Sequence, residues 1–133
     1  MKFNVSEINK LSLVDFLKLF NSLTEQELID IIDSNALFNV NENIFKAFFL
    51  RSNIEVKKHI LKNEILFDKV MNIKSNANGK ILFELVDTQT LRLIISSQYI
   101  IKYKQLIINY LKKINYQRFS KIISEIYFLE AFN

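Results

Sequence analysis

The sequence predicts an all-α protein: short helix pairs stacked as an α-solenoid of about three and a half repeats behind an N-terminal helical cap. Three observations carry that expectation. The chain has one glycine, Gly79, and no proline, so it lacks the residues that tight β-turns and sharp strand ends require. Apolar residues recur at helical spacing in window after window. Finally, four segments superimpose. Thr24-Glu25-Gln26-Glu27-Leu28 falls on Ser52-Asn53-Ile54-Glu55-Val56 after 28 places, on Asp87-Thr88-Gln89-Thr90-Leu91 after 35 more, and on Asn115-Tyr116-Gln117-Arg118-Phe119 after another 28. Each segment starts with a residue able to cap a helix and is apolar at its fifth and ninth places, the ninth being Ile32, Ile60, Ile95 and Ile123. The same register aligns Leu37-Phe38, Ile65-Leu66, Ile100-Ile101 and Phe128-Leu129. Periods of this size belong to stacked helix pairs. The expected organisation is one domain, 1–133, with a cap at 1–23 and repeats at 24–51, 52–86, 87–114 and 115–133, about eight short helices in all.

Element by element, Ser12 and Asp15 have capping-box spacing, and Leu13, Phe16, Leu17 and Phe20 follow at helical intervals until Asn21-Ser22-Leu23 breaks them. Thr24 with Glu27 forms a full capping box ahead of Leu28, Ile31 and Ile32. Asn41 caps a helix carrying Ile44, Phe45, Phe48 and Phe49. Ser52 with Glu55 is expected to form a second box ahead of Val56 and Ile60. Asn63 begins a helix from Glu64 to Ile73 that leads into the loop Lys74–Lys80. A hairpin pairing Val70–Ile73 with Ile81–Val86 is the alternative there, because Asn78-Gly79 is a strong turn dipeptide. Asp87 caps the third repeat, Ser97 a long helix reaching Ile114, and Asn115 the last.

The stretch Asn53-Ile54-Glu55-Val56-Lys57-Lys58-His59-Ile60-Leu61-Lys62-Asn63 resembles the second helix of an ankyrin repeat, which reads like N-x-E-V-V-K-x-L-L-x-x-G. Asn76-Ala77-Asn78-Gly79-Lys80-Ile81-Leu82-Phe83 resembles that family's turn and first helix, and Leu91-Arg92-Leu93-Ile94-Ile95-Ser96 fits the helix after it. The chain lacks Thr-Pro-Leu-His and Gly-Ala-Asp, and it steps by 28 residues where ankyrin repeats take about 33. A degenerate ankyrin-like array and an ordinary α-α repeat both fit. The resemblance implies protein–protein recognition without chemistry.

Composition narrows the function classes. Without cysteine there is no disulfide framework or cysteine-based zinc site. No run of eighteen apolar residues is present to span a bilayer, and Met1-Lys2-Phe3-Asn4-Val5-Ser6-Glu7 lacks the apolar stretch of a signal peptide, so a cytoplasmic location is expected. A single glycine excludes a glycine-rich phosphate loop. The single histidine, His59, has no serine elbow or cysteine to activate. With Glu55 one turn before it, it supplies too few ligands for zinc. Glu25, Glu27, Asp30 and Asp33 on one early helix suit a solvated face near the positive end of a helix dipole better than general acid–base chemistry. No cofactor and no catalysis are expected.

The expected function is a scaffold that binds another protein. Phe45, Phe48, Phe49 and Phe67 belong to the core by their spacing, with one of the adjacent pair Phe48 and Phe49 expected outward as a binding anchor. The first alternative is nucleic-acid binding. Residues 1–42 hold three lysines against seven carboxylates, whereas 43–133 hold fifteen basic residues against seven acidic. Between Asp87 and Glu125 there is no acid, while Arg92, Lys102, Lys104, Lys112, Lys113, Arg118 and Lys121 fall there, with all five tyrosines from Tyr99 onward. On a helical wheel of 98–114, Lys102, Gln105, Asn109, Lys112 and Lys113 gather opposite an apolar side, and Lys104 falls inside that apolar side. Such a strip follows a phosphate backbone or is merely a solvated face. The second alternative is a self-associating structural protein, in which an acidic first repeat meets a basic third repeat of another copy.

Overall fold

Side-chain caps set the helix starts. In the computed structural model, residues 5–74, 82 and 86–111 are described. They form a 3-10 helix, Val5–Lys10, then α1 (Leu13–Ser22), α2 (Glu25–Asp33), α3 (Glu42–Arg51), α4 (Ile54–Leu61), α5 (Glu64–Asn72), α6 (Thr88–Ile95), a second 3-10 helix Gln98–Tyr103, and α7 (Lys104–Leu111). No strand occurs among the described residues, so the protein is all-α, as expected. Ser12, Thr24, Asn41, Asn53, Asn63 and Asp87 each accept a hydrogen bond from the amide three residues on, opening α1 to α6. Thr24 and Glu27 close both halves of their capping box at 3.1 Å. Helix ends are made without glycine. Ser34, Ser52 and Ser96 turn their hydroxyls back onto carbonyls of their own helices, and Asn35 takes the left-handed conformation (φ 66°) that glycine supplies elsewhere.

The second expected capping box is corrected. Ser52 terminates α3, its hydroxyl donating to the Phe48 carbonyl at 2.6 Å, and Asn53 caps α4. Glu55 consequently pairs forward with Lys58 at 3.2 Å. This moves only the second segment of the alignment by one residue, to steps of 29 and 34. Counted from their caps, α2, α4 and α6 then bury equivalent residues: Ile31, Ile60 and Ile94 seven places on, and Ile32, Leu61 and Ile95 eight places on. Leu37, Leu66 and Ile100 follow at thirteen places, and Ile44, Ile73 and Ile107 at twenty.

Packing builds two rows. In one, α1 lies against α3. In the other, α2 lies against α4 and α4 against α6. Phe16, Phe20 and Phe48 join α1 to α3 with ring centroids 5.5–6.1 Å apart. Asn53 donates to Glu25 between α2 and α4 (3.0 Å), and Lys57 donates to the buried Thr90 hydroxyl between α4 and α6 (3.0 Å). Helix α5 packs on α4 and receives Tyr99 and Tyr103, whose rings each stand 5.9 Å from Phe67.

Two further expectations change here. Val70 to Asn72 are the last turn of α5, so they are not an arm of a hairpin; the Leu82 amide reaches back to the Ile73 carbonyl. The Asn78-Gly79 turn lies outside the described residues. The long helix from Ser97 is a 3-10 helix followed by α7, which ends the description at Leu111. Because a 3-10 turn takes three residues, the continuous wheel drawn for 98–114 is broken at Lys104. The buried side of this segment is carried by Ile100, Ile107 and Tyr110, and Lys104 stands exposed rather than within it. The Asn115 cap and the repeat 115–133 lie outside the described residues.

Candidate functional site

Phe48 and Phe49 do not form an exposed anchor: both are fully buried. Helix α3 is covered on two sides, which buries a wider arc than one stripe. Phe48 faces Phe16 and Phe20 of α1, while Phe49 meets the Lys57 ammonium of α4, 5.7 Å from its ring centre. Phe45 and Phe67 are core residues, as expected. Lys69 of α5 crosses 5.2 Å above the Phe45 ring and donates to the Phe38 carbonyl at 3.1 Å; burial lowers its pKa, with the Glu42 charge opposing that shift.

The apolar surface that remains lies next to this pair. An open groove of about 440 Å³ runs between α1 and α3, lined by Leu13 and Leu17 from one helix and by Asn43, Lys46, Ala47, Leu50 and Arg51 from the other. The spacing of the α3 set puts it on one outward face. Leu13 is 43 % exposed and Leu50 44 %, and Val14, beside Leu13 in α1, is 63 % exposed. Two of the five exposed large apolar side chains among the described residues, Leu13 and Leu50, thus line this groove. In the sequence Leu13 and Leu17 are members of a helical apolar periodicity, and Leu50 follows the phenylalanines that dominate the pattern of α3.

The basic candidates divide. Arg92 on α6 and Lys104 on α7 are exposed. Lys102 is exposed too, but its ammonium sits 3.1 Å from both Glu64 and Asp68 of α5. Lys112, Lys113, Arg118 and Lys121 lie outside the described residues. Three of the four early carboxylates are engaged in structure: Glu25 with Asn53, Glu27 in its capping box, and Asp30 accepting from Gln26 at 2.9 Å. His59 is half-buried at the end of α4. Among the described residues no three His, Cys, Asp or Glu side chains gather to hold a metal ion, and no helix is long and apolar enough to cross a membrane.

Asp68 is the electrostatic centre of the α5 face. Tyr103 donates to it at 2.6 Å, alongside Lys102. Burial pushes its carboxyl up, but the hydrogen bonds from Tyr103 and Lys102, with the Lys102 charge, outweigh burial and hold it below the usual carboxylate range. Burial first, then the bond to Asp68, pushes the Tyr103 phenol up. The hydrogen bonds that Lys102 donates to Asp68 and Glu64 raise its pKa. A carboxyl with a lowered folded pKa stabilises above its unfolded value, near pH 4, and loses that contribution as pH falls further. Tyr103 and Lys102 stabilise below their unfolded values, about 10, and lose that contribution as pH rises past their higher folded ones. Hydrogen-exchange protection of residues 98–103 is therefore expected to be level from roughly pH 5 to 9 and to fall on both sides. Asp68→Asn should flatten the acid limb while leaving α2 and α4 unaffected; an unchanged acid limb would assign it to other carboxylates.

No protein-family model, no curated protein and no solved structure matches this chain.

Proposed function

We propose that the chain is a non-catalytic scaffold for binding another protein, built from helix pairs stacked as an α-solenoid of degenerate, ankyrin-like character. The caps Ser12 and Asn41 stand 29 residues apart, as do Thr24 and Asn53, so α1–α2 and α3–α4 are units of equal length. Residues equivalent from cap to cap are buried in α2, α4 and α6, which supports stacking by translation of one unit. Under this reading the segment before residue 24, expected to be only a cap, contributes the first helix of the first pair.

The observation that carries the binding role is the apolar face of α1 and α3. Leu13 and Leu50, from two different helices, stay exposed along one groove, beside a continuous core of buried residues. Exposed apolar side chains scattered singly mean little, whereas a contiguous group on a rigid frame marks a contact surface. Nucleic-acid binding draws less support, because Lys102, the first residue of the basic strip, is already answered by two carboxylates.

The test pairs two titrations of the full chain. Purified candidate partners, taken from nuclease-treated extract and re-examined by calorimetry, are expected to bind with a defined stoichiometry. Labelled single-stranded RNA and duplex DNA at about 50 and 200 mM salt are expected to show no steep salt-dependent binding. A duplex affinity whose log–log salt slope is about −0.9 per neutralised phosphate would replace the scaffold with a nucleic-acid binder. A solution mass at a multiple of 15.8 kDa without any partner would favour the self-associating alternative.

A further inference from the structure

We infer that the α1–α3 groove is the docking site for an amphipathic helix of another protein, one whose apolar edge is bordered by carboxylates. This deepens the scaffold reading and rests on it. The groove is lined by leucines from both helices, Leu13 and Leu17 from α1 and Leu50 from α3, together with the small side chain of Ala47. Its walls are ten-residue helices, about 15 Å long, a length that seats about ten residues of a partner helix and so anchors at i, i+4 and i+7.

Charge selects the sign of the partner. The charged residues lining the groove are Lys46 and Arg51, and no carboxylate lines it among the described residues. Carboxylates flanking the partner's apolar edge meet those cations, while lysines there meet like charge. A second copy of this chain fits poorly. Its carboxylate-rich helix, α2, turns Leu28, Ile31 and Ile32 into its own core and has no leucine edge to offer.

The experiment uses labelled 20-residue model helices with leucines at i, i+4 and i+7 and either Glu or Lys flanks, titrated against the full chain by fluorescence anisotropy. Glu-flanked peptides are expected to bind more tightly than Lys-flanked ones, and the difference should shrink as salt rises. Leu50→Asp should weaken binding at least thirtyfold or so, the size of a hot-spot loss. Leu50 is exposed, so circular dichroism and Tm should stay near wild type and exclude simple unfolding. Arg51→Glu, which leaves Lys46 opposed by a carboxylate, should abolish the preference for Glu-flanked peptides while both classes still bind, a result that lost folding does not produce. Equal binding of both peptide classes, or binding indifferent to Leu50→Asp, overturns the groove assignment and leaves the scaffold reading standing. A dimer in light scattering that Leu50→Asp dissociates assigns the groove to a second copy and also overturns it. No binding by any peptide overturns the inference, and the separate partner titration then decides the scaffold reading.

Discussion

Phe48→Ala is expected to cost about 3–5 kcal/mol of folding stability, the range for truncating a fully buried phenylalanine. The side chain has no exposed surface and its ring stands 6.1 Å from Phe16 and 5.5 Å from Phe20, so the substitution empties the joint between α1 and α3. Domains of this size hold only about 5–15 kcal/mol in total, so a large fraction of the native margin disappears. Urea unfolding followed by circular dichroism should show the midpoint fall, with a Tm drop of roughly 10–15 °C. Ile65→Ala, at a residue 51 % exposed, is the matched control and should move stability by no more than about 0.5 kcal/mol. A Phe48→Ala variant that kept wild-type stability but lost a partner would restore the exposed-anchor expectation that the structure corrects.

Phe67→Ala should have an effect of similar size, about 3–5 kcal/mol from burial, but distributed differently. Phe67 is fully buried on α5 and carries the rings of Tyr99 and Tyr103, so it joins the 3-10 helix Gln98–Tyr103 to the rest of the fold. Each aromatic pair adds about 0.5–1.5 kcal/mol beyond burial. Native-state hydrogen exchange should therefore show residues 98–103 and α7 losing protection before α2 and α4 do. Uniform loss across the chain would mean that the segment is not held separately through α5. Together the two variants separate the α1–α3 joint from the α5 joint.

Both predictions concern contacts that spacing could suggest but not assign. The rows of phenylalanine were legible as core because apolar residues at helical intervals must find cover. Which of two adjacent phenylalanines faces outward was not legible, since that depends on how many neighbours a helix has. Helix α3 has α1 on one side and the Lys57 side chain of α4 on another, and so buries Phe48 and Phe49 alike. The groove was missed for the converse reason. Leu13, Leu17 and Leu50 look like core residues in sequence, and only the spacing of α1 and α3 leaves Leu13 and Leu50 exposed.

The sequence by itself determined the helical class and most helix starts, because a cap is a local contact. Thr24, Asn41, Asn63 and Asp87 reach an amide three residues away, within a stretch that any reader of the chain can see. Tertiary structure decided between Ser52 and Asn53, two competent caps side by side. Ser52 is buried and bonded to the end of α3, while Asn53 donates across to Glu25 on α2. Contact with α5 likewise accompanies the 3-10 winding of residues 98–103: Tyr99 and Tyr103 both pack on Phe67, and Lys102 and Tyr103 meet Asp68. A wheel at constant pitch contains none of those partners. The physical division is one of range: hydrogen bonds over three or four residues are written in the sequence, whereas the share of a helix surface left to solvent is fixed by elements distant along the chain.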